Sequence, residues 1–405
     1  MSQKKIIGAV EIGTSKVVVL VGEILGRNSL NIIGMAQTTS MGVKKGEVTN
    51  LKSASDSTHT AIVAAEKSAG VSIDSIYLSC SGRHLDGFST TGKVAVSSSD
   101  NVINRADLQR VGEMARTKAL PLQRVYIHHI LGGYKVDGQP TKNPLGMAGE
   151  QLEVQYWNVN ADQRKISDQL HIINGFGIKV DDMIISSIAS GCVAASEEER
   201  DKGVLVIDIG CGTTDFAVYK DGIILRTGVI GVGGDHITND LAIGLRINYK
   251  NAESIKHRFG KAIVDSSDKN DTVLLFGDLT IGDAPISRSS IYKITHARVE
   301  ELFNIIHNKL GSLISTQNLP GGIIITGGSA RLPHLCEAAR QAFNVNARVA
   351  QNPAWVTNPE LKAPEYSTVI GLLQYAMTAQ RPDSGGRKKK NTGWFGKMAG
   401  IFAGN

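Results

Sequence analysis

Cysteine is scarce in this chain: Cys80, Cys192, Cys211 and Cys336 are the four among 405 residues, and none sits at a metal-ligand spacing. That excludes a disulfide-stapled scaffold and a cysteine-held zinc site, and it fits a reducing cytoplasm. Long hydrophobic runs are missing too. No stretch is apolar enough to span a bilayer and no signal peptide opens the chain, so a soluble protein is expected. Net charge is the third shortage. Of the formal +6, six basic residues and one acid, Asp383, follow Gln380, so the tail holds +5 and the body +1. A nearly neutral body argues against nucleic acid as the main ligand and places the electrostatics in the tail. What remains is globular composition, 41% apolar and 20% charged, in a chain long enough for two domains.

The stretch that organises the chain is GVLVIDIGCGTTDFAVY, residues 203–219. Val204, Leu205, Val206 and Ile207 are apolar and mostly β-branched, which predicts a buried strand. Asp208 ends that run, residues 210–214 turn the chain, and a second strand starts at Phe216. Glycine lets backbone approach where a Cβ would block it, so the N–H groups of such a tip can converge on an anion. The threonine hydroxyls add donors, and Asp208 is placed to hold a hydrated Mg2+ beside a polyphosphate. Alone, a glycine-rich hairpin is as readily a plain tight turn. Cys211 in the tip reads as a small tolerated residue rather than a redox switch.

The layout recurs in residues 6–24, IIGAVEIGTSKVVVLVGEI: apolar strand, Glu11, Gly13, Thr14 and Ser15, apolar strand. Two copies imply two similar lobes, whose facing hairpins would clamp one nucleotide between them. A third element, residues 322–333, is a strand running into the Gly327–Gly328 turn and then a helix. It suits close backbone contact with a base or ribose. These three motifs, in this order, resemble the actin, sugar kinase and heat-shock chaperone ATPase superfamily.

Around that frame, strands are expected at 30–35 and 75–80, with a helix at 51–69 between them. Lys44 and Lys45, in the charged turn before the helix, read as a solvated loop. From 82 to about 160 the pattern changes. A helix at 105–118 would turn Leu108, Val111, Met114 and Ala115 to one face. Strands follow at 124–131 and 153–160, with a structured loop at 143–149, so this region is an inserted subdomain. His128 and His129 would point to opposite faces of a strand, which disfavours a shared metal. Beyond it come a helix at 162–175, a connection at 182–195, a turn at 231–236 before a helix at 238–243, a β-hairpin at 276–286 and a long helix at 290–310.

The stretches KGEVTN (45–50), LSCSGRHL (78–85) and NPLGMAGEQLEVQ (143–155) are similar to stretches of the FtsA family of bacterial cell-division proteins. The likeness extends over essentially all of residues 5–380. It implies an α/β, actin-like two-lobed fold with a duplicated nucleotide-binding core, an inserted subdomain 1C and a C-terminal amphipathic helix. It divides the chain into 1–82 (subdomain IA), 83–160 (1C), 161–200 (IA again, with the interlobe connection), 201–246 (IIA), 247–318 (IIB), 319–380 (IIA again), a basic linker at 381–392 and a membrane-targeting helix at 393–405.

The resemblance also implies ATP with Mg2+ between the lobes. Gly13, Thr14, Ser15 and Lys16 would hold phosphates from one side, and Gly210, Gly212, Thr213 and Thr214 from the other. Gly233 and Gly234 would form a phosphate-side loop. Glu253 and Lys256 would sit on the ribose- and adenine-contacting helix, the alternative being a solvated Glu–Lys face. Gly327, Gly328 and Ser329 would back the adenosine, with Arg331 over the base. Glu11 and Asp208 would bind the metal through water, Glu11 standing where the superfamily has aspartate. Asp215 matches the water-orienting position. Residues 183–196 hold no Gln, Glu or Asp, where actin uses a glutamine, which implies slow turnover with ATP as a conformational ligand. Gly371, in the second interlobe connection, would allow close helix packing.

The family's partners follow from the same resemblance: further copies of the chain in filaments, the C-terminal peptide of FtsZ on IIB, later division proteins such as FtsN through 1C, and anionic lipid of the inner membrane's cytoplasmic face. In the tail, Trp394, Phe395, Met398, Ile401 and Phe402 fall on one helical face beside Lys397, after the basic run Arg387, Lys388, Lys389 and Lys390. Either signal alone would be a solvated tail; together they describe a surface anchor that folds on the membrane. Two other classes stay open. A sugar or acetate kinase of this fold would need a catalytic carboxylate and a substrate pocket in the lobe insertions. A chaperone ATPase would need a substrate domain after the nucleotide domain, where only about twenty-five residues follow.

Overall fold

Valine, isoleucine and leucine crowd both faces of the two hairpin stretches, which predicts sheets covered on both sides. The computed structural model, which describes residues 5–25, 29–264, 272–273 and 286–379, has two such sheets built to one plan. In the first lobe, strand Lys5–Ile12 pairs antiparallel with Lys16–Ile24, which pairs antiparallel with Leu30–Thr39. On its other flank it runs parallel to Ser75–Cys80, and that strand to Lys179–Ile185. The second lobe repeats the order. Val204–Ile209 pairs antiparallel with Thr214–Lys220 and then Ile223–Ile230, and parallel with Ile323–Thr326 and then Ala347–Val349. The duplication expected from two hairpins is a duplication of whole sheets, and the two-lobed α/β plan is observed.

Helix Leu51–Ala69, capped by the Asn50 side chain at the Ser53 N–H and ended by left-handed Gly70, has the bounds expected of it. Between the lobes, helices Ser186–Ala194 and Ser367–Ala379 cross at Gly371. A Cβ there would lie 1.8 Å from the Ala189 carbonyl oxygen, so only glycine lets the backbones meet.

Residues 86–162 leave the first sheet and build a four-stranded one, in the order Asp86–Ala95, Gln151–Asp162, Arg124–Val136, Gln139–Thr141. Helix Arg105–Arg116 covers it and has its own small core around Val111, Ala115, Leu152 and Val154. Its buried stripe is Asp107, Val111, Gly112 and Ala115. Met114, expected on that stripe, is exposed, and its sulfur lies at the edge strand, accepting the Lys93 N–H at 3.5 Å. His128 and His129 do diverge. His128 is buried and its Nε2 accepts the Ile185 N–H at 3.2 Å, while His129 pairs with Asn158.

Two further elements differ from expectation. The helix expected at 238–243 is Gly234–Leu245, so Asp235 and His236 form its first turn rather than a preceding loop. After Gly327 the chain makes a short 3-10 turn, Gly328–Arg331, and the helix Leu335–Phe343 begins only past Pro333. The long helix is Arg288–Leu310. The hairpin expected at 276–286 and the tail from 381 lie outside the described residues, apart from Ile286–Ser287, which pairs with Thr272–Val273.

Candidate nucleotide site between the lobes

Both hairpin tips close with the same hydrogen bond. The Gly13 N–H donates to the Lys16 carbonyl at 3.0 Å, and the Gly210 N–H donates to the Thr213 carbonyl at 2.9 Å. The tips meet across the cleft: a Cβ on Gly212 would stand 2.5 Å from Thr14 Oγ1 and 2.9 Å from the Lys45 Cα. Thr14 Oγ1 in turn accepts the Gly46 N–H at 3.1 Å. Lys44 is exposed as expected, but Lys45 is no solvated loop residue; its backbone is wedged against the second tip. Ser81 of the first lobe completes the bridge, donating to Asp215 Oδ2 at 2.7 Å and lying 3.0 Å from Thr213 Oγ1. Ser15 is exposed, Lys16 rests 4.0 Å from the centre of the Tyr366 ring, and Thr214 is tied to the Val232 carbonyl.

Beneath the tips Glu11, Asp208 and Asp215 crowd together. Burial first, and then the Asp208 charge, push the Glu11 carboxyl up to about 8. Burial and Asp208 likewise raise Asp215 well above the usual carboxylate range. Asp208 is raised by burial although the Thr368 hydroxyl donates to it at 2.7 Å. Glu11 Oε2 and Asp215 Oδ1 are buried without a hydrogen-bond partner among the described residues. At neutral pH Glu11 and Asp215 therefore keep their protons unless a cation among the three carboxyls lets them ionise. Among the described residues no three His, Cys, Asp or Glu side chains close around a metal position. Carboxylate oxygens are the kind of donor that a largely hydrated Mg2+ takes.

The second lobe adds a wall. Gly233 and Gly234 pack on the tip. A Cβ on Gly233 would sit 2.6 Å from the carbonyl oxygens of Gly210 and Cys211, and the Gly234 N–H donates to the Gly210 carbonyl at 2.9 Å. Lys256 Nζ donates to the Gly234 carbonyl at 3.2 Å, to Thr238 Oγ1 at 2.9 Å and to Glu253 Oε2 at 2.7 Å. Glu253 also accepts the Thr238 hydroxyl, so this pair belongs to the wall and not to a solvated face. Gly327, at φ +86°, abuts Asp208, where a Cβ would lie 2.4 Å from Oδ1. Gly328 faces open space, and Ser329 Oγ donates to the Gly210 carbonyl at 3.3 Å. Arg331 is exposed and paired with Glu365 through Nε at 3.0 Å. Burial pushes the Cys211 thiol up to about 11, consistent with a small packed residue rather than a redox-active one.

Reasoning from sequence missed Lys45, Ser81 and Thr368. Lys45 and Ser81 lie in the stretches that carried the family likeness, yet each acts across the cleft and has no local pattern to reveal it. A groove of about 340 Å³ outside the cleft, between helices Gly234–Leu245 and Arg288–Leu310, is floored by Arg298 in a bidentate pair with Asp240.

A family model described as "Cell division protein FtsA" matches residues 205–371, and one described as "SHS2 domain inserted in FTSA" matches residues 82–160. The cell division protein FtsA of Pseudomonas aeruginosa is 34% identical, covering 94% of this chain and 91% of that protein. That of Bacillus subtilis is 32% identical, covering 93% and 84%. Among solved structures, the PilM-PilN type IV pilus biogenesis complex matches with a TM-score of 0.65 at 17% identity, over 92% of this chain and 98% of that one. MreB5 of Spiroplasma citri bound to ADP matches at 0.54 and 14%, over 91% and 94%. Identities this low show the fold alone, and it is the actin-like one. The relatives alike over nearly their whole length show more: this chain belongs to the FtsA family of cell-division proteins.

Proposed function

We propose that the chain binds ATP with Mg2+ in the interlobe cleft and acts as a filament-forming adaptor that ties an FtsZ ring to the cytoplasmic face of the inner membrane. The observation that carries the nucleotide reading is the meeting of the two hairpin tips over three crowded carboxylates, two of which keep an oxygen without a partner. A bound metal would supply the positive charge that lets those carboxyls ionise together. Gly13, Thr14, Ser15 and Lys16 then hold phosphate from the first lobe, and Gly210, Gly212, Thr213 and Thr214 from the second. Glu11 and Asp208 would hold the hydrated metal, and Asp215, which accepts the Ser81 hydroxyl, would orient water in a slow hydrolysis.

The adaptor reading is supported by family membership over nearly the whole chain, which also disfavours the kinase alternative. Its working units are those set out above: 83–160 for contact with the next copy and with later division proteins such as FtsN, 247–318 for the FtsZ C-terminal peptide, and 381–405 for anionic lipid. The groove between helices Gly234–Leu245 and Arg288–Leu310 lies on the border of the second of these units, with Asp240, Ile243 and Gly244 on one side and Ile294, Ala297, Arg298 and Glu301 on the other.

Calorimetry with Mg-ATP tests the site. Asp208→Ala removes a metal-organising carboxylate, and Gly328→Trp fills the open space beside Gly328. Each should weaken binding by roughly tenfold or more. Affinity unchanged in both variants would remove the site assignment.

A further inference from the structure

The insertion is threaded into the first lobe, yet it grips the second. Trp157, on strand Gln151–Asp162, donates its indole N–H to Thr227 Oγ1 at 3.0 Å, with both residues buried. Thr227 lies on the edge strand Ile223–Ile230, where Arg226 stands 5.5 Å from the centre of the Trp157 ring. Gly87 makes room for the ring, since a Cβ there would lie 2.3 Å from Trp157 Cζ2. Arg83, at the start of the insertion, lays its stem over Gly231 of the second lobe, where a Cβ would meet Arg83 Cδ at 2.3 Å.

The same end of the insertion is also pinned to the first lobe, since Trp157 is in register with Ile130, two residues from His128. His128 takes the N–H of Ile185, the residue that precedes interlobe helix Ser186–Ala194. A body fixed at both sides of a hinge cannot keep both attachments if the lobes part. The grip also lies on the strand next to the phosphate tip: Asp215 is in register with Val229, and Ala217 with Thr227. Ser81, which bridges to Asp215, lies five residues before Asp86, where the insertion's first strand begins.

We propose that the insertion is a strut across the cleft whose grip on the second lobe is set by the bound nucleotide. Closing the lobes on Mg-ATP seats Trp157 against Thr227, and opening them withdraws it. This rests on the nucleotide reading above and adds its regulation. Coupling of this kind is reciprocal, so whatever holds the insertion in its seated place also tightens nucleotide binding. The partners that this subdomain contacts and the ATP in the cleft then act on one equilibrium.

The test uses the full chain carrying Trp355→Phe and Trp394→Phe, which leaves Trp157 as the sole indole of three. Acrylamide quenching of Trp157 is measured with and without Mg-ATP, and calorimetry on the same sample reports whether ATP binds. The expected result is a quenching constant roughly twofold or more lower with ATP. Thr227→Val, which removes the acceptor and keeps the shape, should abolish that difference and weaken ATP binding about fivefold. Quenching that does not change while calorimetry shows ATP bound overturns the strut and leaves the nucleotide site standing. No ATP binding overturns the nucleotide reading and the strut with it. A Thr227→Val chain that melts earlier, yet keeps both its ATP affinity and its quenching change, makes the grip merely structural and overturns the proposal.

Discussion

Gly371 and Asp107 are single residues on which larger pieces depend. With the Ala189 carbonyl oxygen 1.8 Å from where its Cβ would be, Gly371→Ala must push the two interlobe helices apart. The expected cost is about 3 kcal/mol, seen as a lowered thermal midpoint. Asp107 is fully buried in the insertion. Burial pushes its carboxyl up, but the Asn104 N–H, the Ser97 hydroxyl and Arg110 outweigh that and hold it at about 2. A depressed folded value means stability that is present above the usual carboxylate range and lost as pH falls through about 2. Thermal melts from pH 5 to pH 2 should show the insertion weakening over that window. Asp107→Asn should flatten the dependence and cost about 1–3 kcal/mol at pH 7. Glycine at 371 was legible in the sequence because a small residue in an apolar helix has few other uses. Asp107 was not, since an acid at N3 of a helix looks the same whether exposed or buried.

At the scale of elements, the two hairpins were legible because each is a local object: apolar strand, acid, glycine tip, apolar strand. Their meeting was only inferable, and Lys45 was misread because its partner, Gly212, lies in the other lobe. The Gly-Gly turn was legible too, but not the 3-10 turn Gly328–Arg331 that separates it from the next helix. The prediction at this scale concerns the contact of the tips. Gly212→Ala puts a methyl into Thr14 and the Lys45 backbone, so the lobes should no longer close on ligand. Affinity for Mg-ATP should fall by roughly tenfold or more, with the thermal midpoint of the free protein little changed, since the strands on either side stay paired. Equal loss of both would mean that the tip is a structural turn and not a clamp.

For the whole molecule, sequence periodicity gave two lobes and an insertion, and the paired sheets agree with it. What no local pattern could give is that the insertion touches both lobes, because that contact joins residues 157 and 227. The adaptor account needs three things at once: nucleotide in the cleft, self-assembly, and a lipid-binding tail that avidity makes effective. One measurement joins the tail to its purpose. Anionic vesicles are spun down with purified FtsZ, the full chain and Mg-ATP, and FtsZ in the pellet is compared with that carried by the chain ending at Gln380. The account predicts FtsZ in the pellet with the full chain and in the supernatant with the shortened one, which should still bind ATP. FtsZ left in the supernatant by the full chain with ATP, or pelleted equally by the shortened chain, would contradict it.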